Sequence, residues 1–142
     1  MEWFEEWGEI ANSLDKNLNT WIKEGFSIYK DQAIELNKGQ LSEGKDTKGT
    51  ALSPYSTPYK RKRIKAGLQV SRKDLNFTGE HYKGFYGLAL QNYFEMGSKD
   101  WKADILEHNY PGIYGIPEAD LDDFLDAFIW PHVQTRFIES IQ

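Results

Sequence analysis

Thr78-Gly79-Glu80-His81-Tyr82-Lys83-Gly84-Phe85-Tyr86-Gly87-Leu88-Ala89-Leu90-Gln91-Asn92-Tyr93-Phe94 is the stretch on which the fold class turns. Thr78-Gly79-Glu80 is a turn signal. Residues 80–84 read as a helical turn, and Tyr82, Phe85, Tyr86, Leu88, Leu90, Tyr93 and Phe94 mark at least one aromatic strand. Just upstream, Leu68, Val70, Leu75 and Phe77 alternate loosely, as strand residues do. The expectation is an antiparallel sheet of two to four strands drawn from residues 68–98.

Helices flank this sheet on both sides. Upstream, apolar residues fall at Trp3, Trp7, Ile10, Leu14, Leu18, Trp21, Ile22, Phe26, Tyr29 and Ala33, in steps mostly of three and four. That spacing places them on one stripe of a helix covering residues 1–37. Glu5, Glu6, Glu9, Asp15, Lys16, Lys23 and Glu24 make its solvated face. Gly25 costs about 1 kcal/mol relative to alanine inside a helix, so a kink or break is expected there. Gly39, Gly44, Gly49, Pro54 and Pro58 then turn residues 38–58 into a long loop. Pro58 and Gly67 bracket a short basic helix, Tyr59-Lys60-Arg61-Lys62-Arg63-Ile64-Lys65-Ala66-Gly67, whose cations are expected on a solvated face.

Downstream, a short helix begins near Asp104-Ile105-Leu106 and stops at Asn109-Tyr110-Pro111-Gly112. The main C-terminal helix starts at Pro117. Glu118, Asp120, Asp122 and Asp123 stand in its opening turns, where the helix dipole favours them. Leu121, Phe124, Leu125, Phe128 and Ile129 form its stripe, Pro131 kinks or restarts it, and Val133, Phe137, Ile138 and Ile141 complete it. The fold class expected is α+β in one domain over residues 1–142: a helical arm (1–37), a loop (38–58), a basic helix and sheet (59–98) and a helical end (99–142).

Composition narrows the class further. The 142 residues hold 15% aromatics, including five Trp, and no cysteine, which excludes disulfides and thiolate metal sites. The acidic opening Met-Glu-Trp-Phe-Glu-Glu-Trp does not read as a signal peptide, and no apolar run approaches the roughly 18 residues of a membrane span. The net charge of -5 divides sharply: -5 over residues 1–37, +7 over 38–74 and -7 over 75–142. A chain so divided pairs its basic segment with its own ends, with a neighbouring copy or with nucleic acid.

A search for catalytic chemistry finds no constellation. His81, His108 and His132 stand at no ligand spacing, so no metal is expected. There is no Gly-x-Ser-x-Gly elbow, and Gly44 and Gly49 are followed by Thr50 rather than the lysine of a phosphate loop. The acidic residues near 118–123 lack the central glycine and closing glutamate of a calcium loop. The expectation is a non-enzyme without cofactor.

One ordered set of features points to a family. Leu36-Asn37, Gln40-Leu41, Gly44, Asp46, Gly49, Tyr55-Ser56, Tyr59, Lys62, Gly67, Asp74-Leu75, Thr78-Gly79 and Tyr82 to Phe85 follow one another, and Gly112-Ile113-Tyr114-Gly115-Ile116-Pro117 leads into the last helix. This resembles the small phage proteins of the virion-morphogenesis and tail-completion type, over roughly residues 36–86 and 104–141. The resemblance implies a ring-forming head–tail connector or tail terminator, assembled in the host cytoplasm and carried in the neck or tail of the virion. Its partners would be identical subunits and other neck, portal or tail proteins, with non-specific contact to passing DNA and none to membrane. Trp3, Trp7, Tyr55, Tyr59, Lys60, Arg61, Lys62, Arg63 and Lys65 are the residues expected at partner contacts, with Asp74, Thr78 and Gly79 forming a structural turn. The basic helix would meet the acidic helix near residues 118–126 of the next subunit or line a DNA channel, and the loop 38–58 would order on docking.

Two other classes stay open at this level. One is a nucleic-acid accessory protein using Lys60, Arg61, Lys62, Arg63, Lys65, Arg72 and Lys73, against which the acidic flanks argue. The other is a wall-active or sugar-binding phage protein, suggested by the Trp and Tyr content, against which the helical spacing of the Trp argues.

Overall fold

The computed structural model describes residues 16–76, 78–90 and 93–142, so the readings of Trp3, Trp7, Ile10, Leu14 and Phe77 lie outside the described residues. The fold is α+β, with a two-stranded antiparallel sheet set among helices. Helix α1, over residues 16–28, is followed at Tyr29 by α2 (Lys30–Ser42). Next come α3 (Thr57–Lys65), the single turn α4 (Glu80–Lys83), β1 (Phe85–Ala89), β2 (Phe94–Ser98) and α5 (Ala103–Asn109). The chain ends in α6 (Glu118–Phe124), a π-helical turn (Leu125–Ile129) and α7 (Trp130–Ser140). Among the described residues no helix is long and apolar enough to cross a membrane.

Two apolar clusters share α2. Ala33 joins Trp21, Phe124, Ile129 and Val133, which lock α1 against the C-terminal helices. Ile34, the next residue, joins Leu41, Phe85 and Ile113, which lock α2 against the hairpin. Met96 of β2 packs on both clusters. A helix that contributes adjacent residues to two clusters is covered on two sides, so its polar residues must find partners inside. Asn37 does: its Nδ2 donates to the Ile113 carbonyl at 2.7 Å, and its Oδ1 accepts from Gly115 N at 3.2 Å.

The helix break falls at Tyr29, not at Gly25. Gly25 stays helical because the C-terminal helices cross there: a Cβ on it would stand 3.3 Å from Ile129 Cδ1 and 3.7 Å from Ile129 Cα. Ile129 belongs to the π turn, and the cause of that turn is local. Pro131 has no N–H, so the bond it would make to residue 127 is missing, and Trp130 N reaches back to the Leu125 carbonyl instead. Glu24 fastens the same crossing, its Oε2 lying 3.0 Å from His132 Nε2 and 3.1 Å from Arg136 Nε.

Two further expectations are corrected. The loop begins after Ser42, because α2 runs through Gly39, where no neighbour and no unusual backbone angle stops it. The loop also carries hydrogen bonds of its own. Asp46 Oδ1 accepts from Lys48 N and Thr50 N, both at 2.9 Å, Thr47 N donates to the Gly112 carbonyl at 2.9 Å, and Glu118 N donates to the Thr47 carbonyl at 2.8 Å. Residues 68–76 add no strand to the sheet. The Gln69 and Asn76 carbonyls accept from Arg63 Nε and Nη1 at 2.9 and 2.8 Å, and Leu75 adopts a φ of 57°, so the segment wraps a side chain.

The hairpin itself follows the expected reading. Its register pairs Phe85 with Ser98 and Ala89 with Phe94. Each strand carries a glycine under an aromatic ring of the other: a Cβ on Gly87 would meet Phe94 Cζ at 2.6 Å, and one on Gly97 would meet the Tyr86 hydroxyl at 3.0 Å. These ring-over-glycine contacts fix the register of a sheet too small to hold itself.

Candidate functional site

Between α3, the segment 73–81 and α5 lies a cleft of about 540 Å³, walled by Tyr55, Tyr59, Lys73, His81, Lys102 and Tyr110 among others. A volume of this order suits a small ligand or an inserted side chain. Its walls come from three parts of the chain, residues 54–59, 73–81 and 100–110, so the packing of each decides what faces the opening.

Arg63 lies under one wall. Its side chain is 1% exposed, and Nη2 meets Asp74 Oδ1 at 3.2 Å. Asp74 is fully engaged: Oδ1 also accepts from the Tyr55 hydroxyl at 3.2 Å and Asn76 N at 3.0 Å, and Oδ2 accepts from Gln69 Nε2 at 2.8 Å. The Tyr55 ring lies 4.5 Å from the guanidinium carbon, an aromatic face for the cation. Burial pushes the Tyr55 hydroxyl up to about 12. The Tyr82 hydroxyl donates to the Asp74 carbonyl at 2.6 Å, and burial raises it above the usual tyrosine range. Arg63 and Asp74 thus organise the segment 69–76, and the reading of residues 60–63 as one solvated face fails at Arg63.

Lys73 forms the opposite wall. It is 6% exposed. Its Nζ donates to the Tyr110 hydroxyl at 2.7 Å and to Ser53 Oγ at 3.1 Å, and lies 4.4 and 5.5 Å from the ring centroids of Tyr110 and Tyr55. His81, also buried, lines the same cleft. Nδ1 lies 3.2 Å from the Leu75 carbonyl and Nε2 lies 2.7 Å from the Tyr114 hydroxyl. A carbonyl only accepts, so Nδ1 carries the proton and Nε2 accepts from Tyr114. Burial holds the ring below its ordinary value, chiefly by penalising the charged form. Both ring nitrogens are thereby occupied in packing.

The residues singled out in the sequence are dispersed. Trp3 and Trp7 lie outside the described residues. Tyr55 is buried, and its ring lies 5.1 Å from that of the half-buried Tyr59, tilted by 57°. Lys60 is half-buried, and Arg61, Lys62 and Lys65 are exposed on α3. Thr78 Oγ1 accepts from Glu80 N at 3.3 Å and Gly79 has φ +85°, so the expected turn is present. Arg72, read as a phosphate contact, donates its Nε to the Ser42 carbonyl. Lys73, read the same way, lies inside. Sequence reasoning missed the meeting of Ser53, Lys73 and Tyr110, because nothing in their spacing signals it. Comparison with protein-family models, curated proteins and solved structures finds no match to this chain.

Proposed function

We propose that the chain is a structural component of a phage neck or tail end, a ring-forming subunit of the tail-completion or head–tail-connector kind that acts through subunit packing. One observation carries the reading beyond the family resemblance. Among the described residues, exposed cations stand on α3 and exposed carboxylates on α6 and the π turn. Among the described residues, Lys60, Arg61 and Lys65 of α3 make no ion pair, and neither do Asp122 and Asp123 of α6 or Asp126 of the π turn. Cations on one part of a subunit and carboxylates on another suit a head-to-tail contact, in which each copy meets the next with a different surface and rotation closes the ring.

Exposed apolar groups support the same reading. Trp101 is 77% exposed and Ile105, one helical turn on, is 54% exposed. Burial in a neighbour removes such groups from water. The nucleic-acid alternative loses two of its seven cations, since Arg63 and Lys73 are buried.

The test is incorporation. The wild-type protein, mixed with purified particles lacking it, is expected to bind and appear as a ring by imaging, while Arg61→Glu with Lys65→Glu is expected to stay folded and bind weakly. A wild-type protein that remains monomeric by light scattering with every virion component, and is absent from purified particles, overturns the reading.

A further inference from the structure

We propose that the cleft beside Lys73 is a binding site for a carboxylate carried on an apolar, aromatic-sized group. The inference stands apart from the assembly reading and needs neither a ring nor a phage.

It begins from an unbalanced charge. A buried ammonium requires a counter-charge or a full set of acceptors. Among the described residues no carboxylate lies within ion-pair distance of Lys73. Its sequence neighbour Asp74 is unavailable, because Arg63, Tyr55, Gln69 and the Asn76 amide take both its oxygens. An ammonium has three donors. Two are directed at Ser53 Oγ and the Tyr110 hydroxyl, and the tyrosine rings add only their faces. One donor and most of the charge remain, in the wall of an open cleft.

Charge selects the ligand. Lys73 and Lys102 line the cleft with Asp100, a balance of one positive charge, and burial disfavours the charged form of His81. A single carboxylate matches that balance, whereas a phosphate dianion exceeds it and is opposed by Asp100. Beside the hydroxyls of Ser56 and Thr78, the remaining walls include Pro54, Tyr55, Tyr59, Leu75 and Leu106, aromatic and aliphatic side chains that favour an apolar body behind the carboxylate. A free aromatic acid and an acidic residue beside an aromatic one on another chain share this chemistry.

The experiment follows the backbone amides of the full chain, labelled with nitrogen-15, by nuclear magnetic resonance. Benzoate is expected to shift Ser53, Lys73 and Tyr110 saturably, and benzamide, the same shape without the charge, is expected not to. Lys73→Met is expected to raise the benzoate Kd by at least about tenfold. Acetyl-Phe-Glu-amide binding more tightly than benzoate assigns the site to a protein chain, and the reverse order assigns it to a free acid. Equal shifts with benzamide, no saturation with benzoate, tighter binding of inorganic phosphate, or a folded Lys73→Met protein with unchanged Kd each overturns the proposal. If Lys73→Met does not fold, the benzoate–benzamide comparison on the wild-type protein decides it.

Discussion

The Arg63 guanidinium and the Asp74 carboxylate meet at 3.2 Å in the interior, eleven residues apart in the chain. Arg63 belongs to a run of five cations from Lys60 to Lys65, and it alone of them is buried.

The run therefore separates under mutation. Removing one member of a buried ion pair strands the other, at a cost of about 3 kcal/mol or more. Arg63→Met also frees the Gln69 and Asn76 carbonyls, so it is expected to destabilise the protein by about that amount. Arg61→Glu and Lys65→Glu are expected to stay within about 0.5 kcal/mol of wild type. Urea unfolding of the three variants checks this, and equal midpoints would remove Arg63 from the core. Reversing residues 60–63 together is expected to unfold the chain through Arg63.

Gly25 and Gly39 are both helical glycines, and alanine-scale propensity treats them alike. Gly25 faces Ile129 at 3.3 Å, whereas nothing lies within 4 Å of a Cβ on Gly39. Gly25→Val is expected to destabilise by about 1–3 kcal/mol through overpacking. Gly39→Ala is expected to stabilise by about 0.5 kcal/mol by restricting the unfolded chain. Opposite shifts in melting temperature are the signature; shifts of one sign would mean that the α1 crossing is looser than described.

Gly79 tests the turn before the hairpin. Its φ of +85° disfavours any side chain, yet the nearest atom to a Cβ there is Lys83 Cε at 4.0 Å. The cost of substitution is conformational rather than steric. Gly79→Val is expected to lose about 1–2 kcal/mol. Gly79→Asn, a residue that tolerates the left-handed region, is expected to lose clearly less. Calorimetry on the pair decides it, and equal losses would reveal a steric cause.

Among the described residues, Glu24 and His81 are each expected to contribute to the loss of stability in acid. Glu24 is held below its ordinary 4.5 chiefly by the hydrogen bond from His132; partial burial opposes this and Arg136 adds to it. A depressed carboxyl contributes stability that is present above its unfolded value and lost as pH falls through its folded value. Glu24→Gln should therefore flatten the decline of the urea midpoint between about pH 6 and pH 3. Parallel curves for variant and wild type would remove the clamp from the ledger.

His81, lowered by burial from 6.5, binds its proton more readily in the unfolded chain. Its contribution is complete above 6.5 and declines as pH falls through the lowered folded value. Its ring resonances are expected to titrate below 6.5, and titration at or above that value would contradict the buried neutral ring.

The local features were legible because local physics fixes them. The periodic apolar residues of 16–28, the proline and glycine around α3, the glycine of the Thr78–Gly79 turn, and Pro117 and Pro131 each constrain the backbone within one or two turns of themselves. The structure keeps a helix, a turn or an interruption near every one of them.

What the tertiary structure alone decided depends on partners far along the chain. Arg63 looks like Arg61 until Asp74, Gln69 and Asn76 close around it, and residues 68–76 look extended until their carbonyls turn to that guanidinium. Gly25 looks like a weak point until Ile129, more than a hundred residues later, packs on it. Lys73 looks like one more surface cation until Ser53 and Tyr110 enclose it. Periodicity encodes which face of an element is apolar, but burial of a charge is settled by non-local contacts, and only the assembled chain brings those together.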